Sequence, residues 1–156
     1  MGELILAATI AGERVALRAE DIESVIELDA IVPAPHVPEH ILGLAALRSR
    51  PMTVIDCARS LELQPGRSPR PQANAVVVEQ DRHLYALVVD AIEDVVETTA
   101  EAVPAPGKLA PGWARVCLGM VESPAGVLML ADVHALIAGP EKAVRLKEPV
   151  THLRHA

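Results

Sequence analysis

The second half of this chain repeats the first, and that duplication limits the possible folds more than any single motif does. Val32-Pro33-Ala34-Pro35 returns letter for letter as Val103-Pro104-Ala105-Pro106. Before each copy, Ala16-Leu17 answers to Ala86-Leu87, and Ile22, Val25, Ile26 and Glu27 answer to Ile92, Val95, Val96 and Glu97. After each copy, Leu42-Gly43 matches Leu118-Gly119 and Asp56 matches Asp132. So many weak matches in one order indicate two similar units.

Each unit reads as short strands with a small helical insert. Leu4 to Ala11 and Arg14 to Leu17 are apolar runs around Gly12-Glu13, which is a hairpin signal. Asp21 precedes Ile22, Val25 and Ile26 in a short turn leading to a strand that reaches Val32, where Pro33 and Pro35 stop it. Pro38 to Leu42 suits one helical turn, because proline is tolerated at the first helical position. An apolar strand then ends at Leu47-Arg48, turns through Ser49 to Pro51, returns as Met52 to Ile55 and meets a helix opened by Asp56. In the second unit, Ala75 to Glu79 and Leu84 to Val89 form a hairpin around Gln80 to His83. Leu118 to Ile137 repeats the strand, turn, strand and helix. The copies differ most at that turn, where Glu122-Ser123-Pro124 stands in place of the arginine-bearing tip.

Strands this short favour small barrels, which leave no unpaired edge to aggregate. With 51% apolar residues the chain can bury a core, although it has no Phe, one Tyr and one Trp. Val, Leu, Ile and Ala must fill that core, and β-branched residues favour strands. The stretch Gln64 to Ala73, with four Pro or Gly residues among arginines and serine, reads as a surface linker. Residues 140–156 read as a flexible C-terminal tail. Its Lys142, Arg145, Lys147 and Arg154 leave a basic, partner-binding tail as the other use.

A formal charge of −7 repels phosphate backbones, so nucleic acid is not an expected partner. Cys57 and Cys117 lie far apart and no secretory segment precedes them, which fits a reducing cytoplasm better than a disulfide framework. No apolar run approaches the ~18 residues of a membrane helix, so direct membrane insertion is not expected. Leu6 stands where a myristoylation motif after Gly2 needs Ser or Thr.

Catalytic patterns are missing from the sequence. The histidines at 36, 40, 83, 134, 152 and 155 make no HExxH and the cysteines no CxxC pair, so no metal or cofactor is expected. No Gly-rich phosphate loop and no GxSxG elbow occurs. Cys57, in apolar company, reads as a buried structural thiol. Asp56 and Asp132 each fall between a strand and a helix, where N-capping explains them and a catalytic pair is the competing use. Arg48 ends the apolar run Leu44-Ala45-Ala46-Leu47, as either a solvated turn arginine or a partner contact on a rigid hairpin.

From about Glu3 to Ile137 the chain resembles the CheW family of chemotaxis coupling proteins. The family motif G-V-x-N-L-R-G-x-V-x-P-V-I-D-L corresponds to Gly43-Leu44-Ala45-Ala46-Leu47-Arg48-Ser49-Arg50-Pro51-Met52-Thr53-Val54-Ile55-Asp56-Cys57. Its G-L-x-V-D-x-V-x-E-V resembles Ala86-Leu87-Val88-Val89-Asp90-Ala91-Ile92-Glu93-Asp94-Val95. Ala46, Ser49, Pro51 and Thr53 depart from the first motif. The resemblance implies a mainly β fold of two SH3-like five-stranded β-barrel subdomains around a shared core, with short helices. It implies a single domain over 1–139, with intertwined subdomains near 14–73 and 84–139 and crossing strands between them. It further implies a non-catalytic cytoplasmic adaptor linking the cytoplasmic tip of a methyl-accepting chemotaxis receptor to the regulatory domain of the CheA histidine kinase. A divergent CheW-like regulator or decoy that couples no kinase is the alternative. Under the resemblance, Arg48 with Leu47 and Ser49 would carry coupling, Ile22 and Val25 would border an inter-subdomain groove that receives the receptor helix, and Val88 and Asp90 would lie near that groove.

Overall fold

Two-residue turns set the register of this protein. The computed structural model describes residues 2–63 and 73–140, so the linker over 64–72 and the tail from 141 lie outside the described residues. Ala11-Gly12, Arg48-Ser49 and Asp81-Arg82 have positive φ at both positions, the turn geometry whose twist suits the strands it joins. They connect β1 (Leu4–Ile10) to β2 (Glu13–Arg18), β4 (Ile41–Leu47) to β5 (Arg50–Asp56), and β6 (Ala73–Gln80) to β7 (His83–Val88). The remaining strands are β3 (Ile22–Leu28), β8 (Ala91–Glu97), β9 (Cys117–Ser123) and β10 (Gly126–Ala131). Three short helices, α1 (Cys57–Ser60), α2 (Pro111–Val116) and α3 (Val133–Ala138), and a 3-10 turn over Ala19–Asp21 complete the chain.

The strands form two five-stranded sheets, ordered β8-β1-β2-β10-β9 and β3-β6-β7-β5-β4. Under the repeat the two orders are the same, with β8 standing for β3, β1 for β6, β2 for β7, β10 for β5 and β9 for β4. Each unit therefore lends its first hairpin to the sheet completed by the other. Strands between residues 22 and 88 build the β6–β7 sheet, and those of 4–18 and 91–131 build the β1–β2 sheet. Sheet membership thus divides the chain differently from boundaries near 14–73 and 84–139, because a repeat shows where the pattern restarts and not which copies pair.

The duplicated Val-Pro-Ala-Pro closes each sheet on itself. Val32, beyond edge strand β3, exchanges two 2.8 Å backbone hydrogen bonds with Leu44 of the opposite edge strand β4. Val103, beyond β8, does the same with Met120 of β9, at 2.9 and 2.7 Å. The closed sheets are two SH3-like subdomains. Gly43 (φ 151°) sits against this bridge, and a Cβ there would run into the Val32 carbonyl oxygen.

The hairpins β1–β2 and β6–β7 are buried on both faces, which explains their continuous apolar runs. Ile5, Ala7 and Ala16 point into one barrel with Val121, Leu128 and Leu130. Ala75, Val77, Leu84 and Ala86 point into the other with Leu28, Met52 and Val54. The alternate residues Leu6, Ala8, Val15, Leu17, Val76, Val78 and Leu87 meet between the sheets in a shared core closed by Trp113, Val116, Leu136 and Ile137.

Two local expectations change. The segment from Pro38 forms a single turn, closed by Ile41 N–H donating to Pro38 C=O at 3.0 Å, and Ile41 already begins β4. Pairing with β5 wins there: Ile41 faces Ile55, and Asp56 N–H donates to His40 C=O at 2.8 Å. The strand expected to reach Val32 ends at Leu28, leaving Val32 as the isolated bridge.

Candidate functional site

Arg48, Leu47 and Ser49 occupy one hairpin tip. Arg48 and Ser49 are the two central residues of the β4–β5 turn, with φ of 50° and 71°, and both are exposed. Arg48 has no hydrogen bond or ion pair among the described residues. Leu47 is half-buried and packs on the interior of the β6–β7 barrel. A charge is thus held on a short turn whose base is anchored in a core.

The other proposed contact residues scatter around the same subdomain. A register shift in β3 between Ile22 and Ser24 turns Ile22 toward the shared core while Ile26 and Leu28 face the barrel interior. Val25 points outward and is 46% exposed. Val88 packs on the barrel interior from the far end of β7. Met52 faces Leu84 and Asp56 faces Val88, so Val88 lies ~13 Å along the strands from the level of Met52. Asp90 stands beyond it and ties the subdomains together: its Oδ2 accepts from Gly12 N–H at 3.0 Å, and its own N–H donates to Thr9 C=O at 2.8 Å. The structure gathers Arg48, Leu47 and Ser49, and sets Val88 and Asp90 at the opposite end of the sheet.

The seam between the subdomains opens where shared-core side chains become half-exposed. Ile22, Tyr85, Met129 and Ala11 pack on that core from its margin. His83 meets Tyr85 edge-on, with ring centroids 4.8 Å apart, and its Nε2 lies 2.8 Å from Thr53 Oγ1. Gln80 Oε1 and His134 Nδ1 span from β6 to α3 at 2.5 Å. The tip is next to this opening, because Thr53 faces Tyr85 across β5 and β7. Arg50 Nη2 lies 3.7 Å from Glu79 Oε1, and Arg82 is exposed in the neighbouring turn. Tyr85, His83, Arg50 and Arg82 were not singled out from sequence, because what sets them together is pairing between strands distant in the chain.

Residues weighed for chemistry have structural uses. Asp56 Oδ1 accepts from Ala58 and Arg59 N–H at 3.0 and 3.4 Å. Asp132 Oδ1 accepts from His134 and Ala135 N–H at 2.9 and 3.4 Å, and both residues share φ −87° and ψ 109°. These are paired N-caps of α1 and α3. Cys57 is fully buried, and burial followed by the nearby Asp56 and Asp90 charges pushes its thiol pKa up, opposite to what a nucleophile requires. Among the described residues no group of His, Cys, Asp or Glu could hold a metal ion. No helix among them is long and apolar enough to cross a membrane.

A model of the CheW-like domain matches residues 4–141 of the chain. A protein of Rhizobium etli described as a probable chemotaxis protein CheW is 28% identical over 125 residues, covering 78% of this chain and 80% of that protein. The crystal structure of the scaffolding protein TtCheW from Thermoanaerobacter tengcongensis matches with a TM-score of 0.72 at 21% identity, over 85% of this chain and 90% of that one. At that identity the likeness is one of fold.

Proposed function

The chain belongs to the CheW-like domain family, and from that premise we propose that it is a non-catalytic adaptor, like the scaffolding protein it matches in fold, that joins a methyl-accepting receptor tip to a CheA kinase in the cytoplasm. The observation that carries this reading is the exposed Arg48, without an ion pair or hydrogen bond among the described residues, on a short tip beside the seam between the subdomains. An amphipathic receptor helix presents apolar side chains at helical spacing, and the seam offers Ile22, Met129 and Tyr85 to receive them. Burying them contributes on the order of 25 cal/mol per Å², while association and ordering costs leave modest affinity per contact. Modest contacts suit an array, where several engage together and stay reversible.

The test is titration of the full chain against the regulatory domain of a CheA kinase and, separately, a receptor tip segment. Wild type should bind both saturably. Arg48→Glu should weaken binding about tenfold or more with its thermal unfolding transition preserved. Binding to the receptor without binding to the kinase would instead favour a regulator or decoy that couples no kinase. The departures at Ala46, Ser49, Pro51 and Thr53 fall on the hairpin where such a loss would arise.

A further inference from the structure

An apolar face of the β6–β7 subdomain is exposed beside the point where the described chain ends. Val32 and Leu44 are bridged through their backbones, so their side chains stand side by side, 66% and 45% exposed. Ala45 and Leu47, which flank and alternate with Leu44, pack on the barrel interior, so Leu44 points away from it. Val37, on the loop between the two bridge partners, is exposed as well. The segment that carries this face, residues 19–47, holds Glu20, Asp21, Glu23, Glu27, Asp29 and Glu39 and neither Lys nor Arg. The neighbouring cation Arg59 donates to Glu39 C=O at 3.2 Å and is paired by Asp56 at 3.7 Å, while Arg48 and Arg50 stand at the far tip of the β4–β5 hairpin.

The chain leaves the fold at the start of the same strand. His40, just before β4, has its Nε2 2.9 Å from Ile137 C=O of α3. Gly139 packs so closely on the His40 ring that a Cβ there would overlap it, and Gly139 and Pro140 are both buried. Leu44 lies four residues along from His40, ~13 Å at strand spacing. Val144 lies four residues beyond Pro140, so an extended chain brings Val144 and Leu146 within reach of Leu44 and Val32. Residues 141–156 have the matching chemistry: Val144, Leu146, Val150 and Leu153 stand among Lys142, Arg145, Lys147 and Arg154, with Glu141 and Glu148 the only acids. The linker over 64–72 also carries Arg67 and Arg70, but it has no aliphatic or aromatic side chain beyond its prolines.

We propose that the segment from Glu141 folds back over the Val32–Leu44 face, seating Val144 and Leu146 on it and its cations among the carboxylates of residues 19–47. A tethered segment acts at high effective concentration, so a few apolar side chains suffice to hold it, where a separate protein needs a far larger area. A second copy of the chain would set the same carboxylates against each other. The contact is a reversible cover, which any molecule approaching this side of the subdomain must displace, whether or not the adaptor reading holds.

Methyl NMR and amide exchange of the full chain test this. Expected are cross-peaks joining the Val32 and Leu44 methyls to those of Val144 and Leu146, unchanged on dilution. Amide exchange over residues 143–147 should be about five- to tenfold slower than in a synthetic peptide of residues 141–156. Lys142→Glu, Arg145→Glu and Lys147→Glu together should abolish the cross-peaks and return exchange to the peptide's rate, with the thermal unfolding transition preserved. Val32→Ser with Leu44→Ser, both at exposed positions, should release the segment as well. Absent cross-peaks with peptide-like exchange in the wild type would overturn the proposal. So would cross-peaks that vanish on dilution, which would give the face to a second copy, and protection that survives Val32→Ser with Leu44→Ser, which would put the segment elsewhere.

Discussion

Single residues here settle questions that composition leaves open. Cys57 has its thiol buried between the sheets, and burial raises its pKa above the ordinary value of 9.0. The neutral thiol belongs to the folded state, so its contribution is fully present below pH ~9 and declines as the unfolded chain ionises above it. The expected slope is about 1.4 kcal/mol of stability lost per pH unit there, absent in Cys57→Ala. Urea unfolding from pH 7 to 10 measures it. In the same protein a thiol reagent should label half-buried Cys117 in the native state and Cys57 only after unfolding. Asp90 shows the limit of reading residues singly. The family resemblance sets it near a partner groove, and in the structure its carboxylate also accepts from Gly12 N–H of the other sequence unit.

At the level of elements, the two equivalent helices are joined by the part of the chain that breaks the repeat. Ser60 of α1 donates from its hydroxyl to Leu136 C=O of α3 at 2.7 Å. Arg115 of α2 reaches the last carbonyls of both, Ser60 C=O at 2.6 Å and Ala135 C=O. Desolvation lowers its pKa, opposed by Glu62 and Asp132, and its cation complements the negative carbonyl ends of two helices. Arg115→Ala should cost about 2–3 kcal/mol in denaturant unfolding, with Arg115→Lys recovering only part because it cannot fork between two acceptors. The strands, both aspartate caps and the repeat were legible in the sequence because apolar spacing and turn chemistry are local signals. α2 was not legible, and of the Pro38 turn only its start was. Pro111-Gly112 opens a six-residue helix too short for periodicity, and pairing with β5 overrides helical preference at His40 and Ile41. For the candidate site, Arg48 could be read because a lone charge ended an apolar run. Arg82 and Tyr85 could not, since their neighbours come from β5 and the seam.

For the whole molecule, the exchanged hairpins make the two halves interdependent. β1 pairs with β8 and β2 with β10 in one sheet, while β6 lies beside β3 and β7 beside β5 in the other. Fragments covering 1–63 and 73–156 should each fail to unfold cooperatively alone, and should regain a single cooperative transition by circular dichroism when mixed. Two independent transitions from the separate fragments would show that the halves are self-sufficient.

The exchange also sets a timetable for synthesis. Val15 pairs with Met129, so the first hairpin leaves the ribosome roughly a hundred residues before its neighbour exists, several seconds at ordinary elongation rates. The middle strands emerge sooner and can close their own barrel first. During that interval β1 and β2 are an apolar ribbon with both edges open, the state in which a nascent chain is most exposed to pairing with another. Chaperone demand during translation is therefore concentrated on β1 and β2, whose Ile5, Leu6, Ala7, Ala8, Ile10, Val15, Ala16 and Leu17 end up buried in the finished protein.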